Sequence, residues 1–253
     1  MNNEKIILET QDLTHVFSDG TVGISRINLQ VREGDFMVIS GANGSGKSVL
    51  MRHLNGLLKP TSGVALLEGR QIHKNLAEAR RRVGLIFQNS DSQFVGQTVA
   101  EDVAFGLENL KVSRDEIEKI TDEILGGVGL KNYEFQSPHH LSGGQKRKLA
   151  VAGVLVMKPD VVIFDEPFTG LDFCGVKQVL KELMRLHQMG QTVIVVTHEL
   201  EKVLAHATRL VVMHEKEVVL DGPPEQIIHE ITPYNIRMPL KTGEKVASLT
   251  WLT

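Results

Sequence analysis

Apolar positions along the chain follow two rhythms. Near the start, "KIILET" (5–10) and "RINLQVREGDFMVISG" (26–41) read as strands, the second interrupted by a turn at "REGD". The glycine loop that ends this run leads into "KSVLMRHLNGLL" (47–58), where apolar residues recur at helical intervals. "GVALLEG" (63–69) and "RRVGLIFQ" (81–88) are again short strands. The middle third is helical: Ile117, Ile120 and Ile124 keep a helical interval until "GGVGL" stops it, and a further helix runs from Ser142 to Met157. "TVAE" (98–101) and "SRDE" (113–116) both have the spacing of a capping box, in which two side chains satisfy orphan N–H groups at a helix start. Strand character returns in "VVIFDEP" (161–167), "TVIVVTH" (192–198) and "RLVVMHEKEVVL" (209–220), with a helix through 179–190.

Strands alternating with helices predict an α/β fold whose sheet is mainly parallel, with its chemistry at the carboxyl ends of the strands. The β-rich start adds a small antiparallel piece, and residues 89–158 read as a helical insertion into the α/β core. The stretch from Pro223 onward is punctuated by prolines, and its composition assigns it no task.

Composition narrows the class. Hydrophobic residues make up 42% and charged residues 23%, an ordinary globular balance, and the net charge of −3 argues against a chain built to coat nucleic acid. The single cysteine, Cys174, excludes an internal disulfide and a Cys-rich metal site. The longest apolar run, "LAVAGVLVM" (149–157), is far short of the roughly 20 residues that span a bilayer. The N-terminal residues lack a signal-peptide pattern, so a soluble, cytosolic protein is expected, with any membrane role coming through a partner. The ten histidines form no repeated ligand spacing, and His139 and His140 are read as surface or interface residues.

"GANGSGKS" (41–48) fits the G-x-x-x-x-G-K-[ST] pattern between a strand and a helix. Gly41, Gly44 and Gly46 let backbone N–H groups turn toward a phosphate, and Asn43, Ser45 and Val49 share the loop and helix start. Lys47 would reach the β- and γ-phosphates of a nucleotide and Ser48 would coordinate Mg²⁺. "VVIFDEP" places two carboxylates at the end of a buried strand: Asp165 for the metal shell and Glu166 to polarise a water. Either could instead cap the next turn. Gln88 could ligate Mg²⁺ or be a structural strand-end residue, and His198 at the end of "TVIVVTH" could orient a water or do nothing special. "LSGGQ" (141–145) looks like a second phosphate-facing helix start; a plain N-cap is the alternative, although two adjacent glycines weaken one.

Taken in chain order, "GANGSGKS", Gln88, "LSGGQ", "VVIFDEP", "GLD" (170–172) and His198 resemble the nucleotide-binding subunit of ATP-binding-cassette (ABC) proteins over about residues 4–222. The resemblance implies a P-loop NTPase core of RecA-like type, with an N-terminal antiparallel β subdomain and the helical insertion, and a short extension at 223–253. It implies an ATPase using ATP and Mg²⁺. It also implies a head-to-tail pair in which each ATP lies on one chain's P-loop and is covered by Ser142, Gly143, Gly144 and Gln145 of the other. Asp172 would contact the partner chain. Phe17 falls where the family sets an aromatic ring, more usually Tyr, against adenine.

The stretch "NSDSQFVGQTVAEDVAFGLENL" (89–110) most resembles ATPases of energy-coupling factor transporters, including the cobalt- and nickel-uptake branch. That resemblance implies a peripheral subunit on the cytoplasmic face of the membrane. Its partners would be a second ATPase, a transmembrane scaffold and a membrane-embedded binder of a metal ion or vitamin. Residues from Asp91 to Phe105 would line the groove for the scaffold, while Phe94, Val95 and Phe105 could equally be helical-domain core. The alternatives are an ABC ATPase of DNA repair or translation, and a regulatory module whose ATP site gates assembly. The single cassette and compact insertion favour transport.

Overall fold

A computed structural model describes residues 5–88, 93–110 and 112–252. The chain opens with β1 (Ile6–Val16), β2 (Val22–Arg32), β3 (Phe36–Ser40), α1 (Lys47–Leu54), β4 (Ser62–Leu67) and β5 (Arg70–Gln71). It continues through α2 (Leu76–Arg82), β6 (Val83–Ile86), α3 (Val99–Asn109), α4 (Arg114–Gly127) and α5 (Gly143–Leu155). It ends with β7 (Val161–Asp165), α6 (Phe173–Gln188), β8 (Thr192–Val196), β9 (Arg209–His214), β10 (Glu217–Gly222) and α7 (Pro224–Ile227). These elements form two compact units, Met1–Val83 with Asp160–Thr253, and Gly84–Pro159.

The first unit holds two sheets. One is antiparallel, in the order β2-β1-β4-β5. Its β1 turns apolar side chains inward, and the one buried hydroxyl there, on Thr10, donates to the Ile27 carbonyl at 2.9 Å and accepts from Leu29 N–H at 3.0 Å. The polar group is therefore paid for locally, as burial requires. In the other sheet the strands run β10-β9-β3-β8-β7; β9, β3, β8 and β7 are mutually parallel and β10 closes an antiparallel hairpin on β9. β3 and β8 are buried at every position, which is why "FMVIS" and "TVIVV" read as continuous apolar runs without alternation. The register sets Ile39 beside Val196 and Val196 beside Asp165.

The second unit is helical around a core that includes Val99, Val103, Leu107, Leu125, Leu149 and Ala152. The capping box at Thr98 forms, with the hydroxyl accepting from Glu101 N–H and the Glu101 carboxylate accepting from Thr98 N–H. The one expected at Ser113 does not: Ser113 is the N-cap of α4, but its hydroxyl makes no capping bond. Asp115 and Glu116 instead put negative charge into that first turn, where the helix end is positive. Asp102 accepts from Val95 N–H at 2.7 Å and Gly96 N–H at 3.0 Å, and burial pushes its carboxyl up from the ordinary value. Of the residues that could be core or groove, Phe94 packs on the helical core, while Val95 (64% exposed) and Phe105 (44%) stand at the surface. Asp91 lies outside the described residues.

A charge cluster ties distant segments of the first unit together. Arg82, at the end of α2, donates to Glu68 at 2.7 Å and to Asp160, and Lys5 also pairs with Glu68. The hydrogen bonds from Arg82 and Lys5 hold Glu68 at about 2, below its ordinary 4.5. A carboxylate depressed by folding adds stability above its unfolded pKa and loses it as pH falls through the folded one. Glu68→Gln should therefore lower the thermal unfolding midpoint at pH 7, and the gap to wild type should close between about pH 4.5 and pH 2. A gap that stays constant with pH across that window would remove the cluster's ionic role.

Candidate active site

After Ser40 the chain reverses through Gly41–Gly46 before α1 begins. A Cβ on Gly41 would lie 2.2 Å from the Met213 carbonyl oxygen and 2.6 Å from Ser45 Oγ. One on Gly46, whose φ is +104°, would lie 2.7 Å from the Gly23 carbonyl oxygen. Both positions therefore exclude a side chain. The loop delivers the chain to the start of α1, where first-turn N–H groups have no partner inside the helix. Lys47, 7% exposed, donates its Nζ to the carbonyls of Gly41 at 2.7 Å and Ala42 at 3.1 Å. Burial lowers its pKa, and the charges of Glu166 and Asp165 oppose that shift. Ser45 Oγ is buried without a hydrogen-bond partner among the described residues, whereas Asn43, Gly44 and Ser48 are exposed.

Phe17 opens the turn between β1 and β2 and is 38% exposed. His15 meets it edge-on, with ring centroids 4.7 Å apart. A Cβ on Gly23 would lie 2.9 Å from the Phe17 ring and 3.2 Å from Val49, so the glycine leaves room for that ring beside α1.

The carboxylates arrive from β7. Asp165 is partly buried; burial, and then the neighbouring Glu166 charge, push its pKa up, while Arg52 and Lys47 pull it back. Glu166 adopts a left-handed backbone (φ +46°), and its N–H donates to the Val196 carbonyl at 2.8 Å. Such a backbone costs a non-glycine residue roughly 1–2 kcal/mol. Its side chain is held at both oxygens: Thr197 Oγ1 donates to Oε2 at 3.0 Å, and His198 Nδ1 lies 3.0 Å from Oε1. A carboxylate only accepts, so the imidazole donates from Nδ1 and its Nε2 remains for another partner. Asp172 caps α6, accepting from Gly175 N–H at 2.8 Å.

Gly41–Val49, Phe17, Asp165, Glu166, Asp172 and His198 all belong to the first unit. Gln88, Ser142, Gly143, Gly144 and Gln145 belong to the second. There Gln88 is exposed just beyond β6. Ser142 and Gln145 form a reciprocal capping box at the start of α5: Ser142 N–H donates to Gln145 Oε1 at 2.9 Å, and Gln145 N–H to Ser142 Oγ at 3.4 Å. The N-cap reading of "LSGGQ" thus describes its geometry, but beyond the neighbouring residues and the helix's own backbone nothing lies within 4 Å of where a Cβ on Gly143 or Gly144 would sit. That open first turn leaves room for a ligand.

Three participants escape the motif reading. Thr197 steers Glu166, Lys216 donates to the Gly44 carbonyl from the β9–β10 turn, and Arg52 bears on Asp165. Thr197 adjoins His198 and could have been suspected from "VVTH"; Lys216, 172 positions from Gly44, carries no local signal. Among the described residues no helix is long and apolar enough to cross a membrane.

Chemically, the first unit offers a backbone cradle with a buried cation, one partly desolvated carboxylate, and a second carboxylate aimed by two hydrogen bonds. That set is suited to hold a polyphosphate and to polarise a water. The ABC transporter family profile matches residues 24–169. The energy-coupling factor transporter ATP-binding protein EcfA of Methanocaldococcus jannaschii is 42% identical over 239 residues, 92% of this chain and 86% of that protein. EcfA2 of Clostridium tetani is 42% identical over 234 residues, 88% of this chain and 81% of its own length. The solved structure of CbiO1 from Clostridium perfringens, part of the ABC transporter complex CbiONQ, superposes with a TM-score of 0.80 at 38% identity, covering 93% of this chain and 97% of that one. The P-loop, the paired carboxylates and this likeness across nine-tenths of the sequence agree, and the chain belongs to the ABC transporter family as an ATP-binding protein and ATPase.

Proposed function

We propose that this ATPase powers an energy-coupling factor importer, with one cassette domain over residues 1–222, its helical insertion at about 89–158, and an extension at 223–253. The observation that carries the catalytic reading is Glu166, fixed at both oxygens by Thr197 and His198. In the proposed reaction Glu166 accepts a proton from the attacking water as the new O–P bond forms at the γ-phosphorus and the bond to the ADP oxygen breaks. His198 orients the water and the γ-phosphate through its free nitrogen. Lys47 exchanges its two backbone carbonyls for β- and γ-phosphate oxygens, which suits an ammonium that burial has left short of counter-charge. Phe17 stacks on adenine.

Asp165 and Ser48 would hold Mg²⁺, which when bound neutralises phosphate charge. The fit rests on Asp165: a carboxyl raised by burial and by a neighbouring carboxylate gains from a cation beside it. Ser142, Gly143, Gly144 and Gln145 would close over the ATP of a partner cassette, with Asp172 at the same interface.

The transport assignment is supported by the energy-coupling factor ATP-binding proteins among the relatives and by CbiO1. Its partners would be a second ATPase (a copy or a paralogue), a transmembrane scaffold and a membrane-embedded binder of a cobalt or nickel ion or a vitamin, on the cytoplasmic face; nucleic acid has no part. Val95 and Phe105, exposed on the second unit, are suited to receive a coupling helix of the scaffold.

Glu166→Gln should slow ATP hydrolysis by roughly 10²–10⁴-fold while ATP still binds; turnover at the wild-type rate would remove Glu166 from the chemistry. Ser142→Arg and Lys47→Ala should each abolish hydrolysis alone, and mixing the two chains should restore one composite site. Mixed dimers that form yet stay inactive would exclude the trans arrangement. Tagged protein purified from detergent-solubilised membranes should bring with it a scaffold and a small membrane binder, identified by mass spectrometry. Recovery of ribosomal or DNA-associated proteins alone would overturn the transport assignment.

A further inference from the structure

Residues 246–252 lie across the first unit in a way that the site described above does not use. A 3-10 turn at Val246–Leu249 packs against the turn at Leu204–His206, with Val246 buried. Thr250 Oγ1 is 3.2 Å from His206 Nε2, and Leu252 N–H donates back to Thr250 Oγ1 at 3.2 Å. Between them Trp251 makes two long-range contacts. Its ring lies against Phe173, with centroids 5.5 Å apart and planes tilted by 31°. Its Nε1–H donates to the Glu201 carbonyl at 3.0 Å.

Both contacted residues adjoin the nucleotide site. Phe173 directly follows Asp172, and Glu201 comes three residues after His198. From Glu166 to Phe173 the chain is a chain of tight turns: Thr169 N–H reaches the Glu166 carbonyl at 3.4 Å, Leu171 N–H the Phe168 carbonyl at 3.2 Å, and Asp172 then caps α6. On the other side His198 is bonded to Glu166 itself. The connections therefore close a ring: Glu166, the turns, Asp172, Phe173, Trp251, Glu201, His198 and back to Glu166. Lys177 lies 5.3 Å from the centre of the Phe173 ring, adding a cation–π contact.

We propose that Trp251 is a positioning residue for ATP hydrolysis, tying the loop that ends in Asp172 to the turn that follows His198 so that the two move together around Glu166. The proposal rests on the reading of Glu166, Asp172 and His198 as parts of the nucleotide site. It adds a residue from outside every motif, and it assigns a task to a segment whose composition gave none. An indole suits the task because it offers a broad face to one loop and a single N–H donor to the other. Phenylalanine would keep the first contact and lose the second.

Two measurements on the full chain test it. The first is steady-state hydrolysis below the measured unfolding midpoint of each variant. Trp251→Ala should lower kcat by about 3–10-fold, the size expected for losing one aromatic contact with its hydrogen bond, and leave KM for ATP within about two-fold. Trp251→Phe should fall between Trp251→Ala and wild type. The second uses the fact that the chain contains one tryptophan. In a Glu166→Gln background, emission from Trp251 should change as Mg·ATP is added, saturate with nucleotide binding, and stay flat when Lys47→Ala is added to that background. Unchanged kcat in Trp251→Ala, or flat emission at saturating Mg·ATP, would overturn the proposal. The emission arm needs neither a folded Trp251 variant nor turnover, so it stands apart from the rate assay of Glu166→Gln that tests the catalytic reading.

Discussion

Ile39, Val196 and Asp165 lie side by side across three parallel strands, and the position of every catalytic candidate in the first unit follows from that rung. One step further along each strand come the next backbone bonds, from Thr197 N–H to the Ile39 carbonyl at 3.1 Å and from Glu166 N–H to the Val196 carbonyl at 2.8 Å. The strands thus stop pairing at one level and release the P-loop, the Glu166 turn and the His198 turn together. A slip of one residue in any of these strands would turn every side chain to the opposite face of the sheet and aim the terminal carboxylate or imidazole the wrong way. Because β3 and β8 are apolar and buried on both faces, such a slip would move their Val and Ile side chains into packing positions shaped for others, which a close-packed core resists. The site's geometry is therefore protected by hydrophobic burial that has no part in the chemistry.

Electrostatics at that level run against burial. Burial lowers the pKa of Lys47 and raises that of Asp165, so in both cases it disfavours the charged form. Each charge partly relieves the other, yet neither shift is abolished. A polyphosphate with its metal, as proposed for this site, would supply what both lack: anionic oxygens for the ammonium and a cation for the carboxylate. Folding has already met the cost of desolvation, so ligand binding collects the attraction without repeating it.

The parts of this design that are legible in the sequence are those encoded over short spans. The glycine loop is one, because "GANGSGKS" carries its pattern in eight consecutive residues, although the carbonyls that exclude a side chain at Gly41 and Gly46 belong to Met213 and Gly23 on distant strands. The strand-end residues Asp165, Glu166 and His198 are another, since apolar runs announce where strands end. "SRDE" shows the limit of local reading, because the spacing of a capping box is present without the bond. Phe94 and Phe105, alike in sequence, divide between core and surface according to which face of the helical unit they meet. Contacts that join remote positions leave no local trace of which residue they reach. Thr197 to Glu166 spans 31 residues, Trp251 to Glu201 spans 50, and Lys216 to Gly44 spans 172.

Those remote contacts share a function that burial cannot supply. Glu166 carries a backbone strain of roughly 1–2 kcal/mol, comparable to one or two ordinary hydrogen bonds, and would relax if only one neighbour held it. Val196 fixes its N–H, Thr197 one oxygen and His198 the other. Thr197 is anchored in turn, accepting from Glu199 N–H at 3.1 Å and donating its own N–H to β3. The restraint is then only as firm as the loops that carry it, and these lie beyond the sheet, where strand pairing has ended. A brace from outside the sheet is the remaining way to limit their freedom without filling the space a nucleotide needs. Trp251 occupies that position, joining the two loops on residues that follow Asp172 and His198 and leaving those two side chains uncovered.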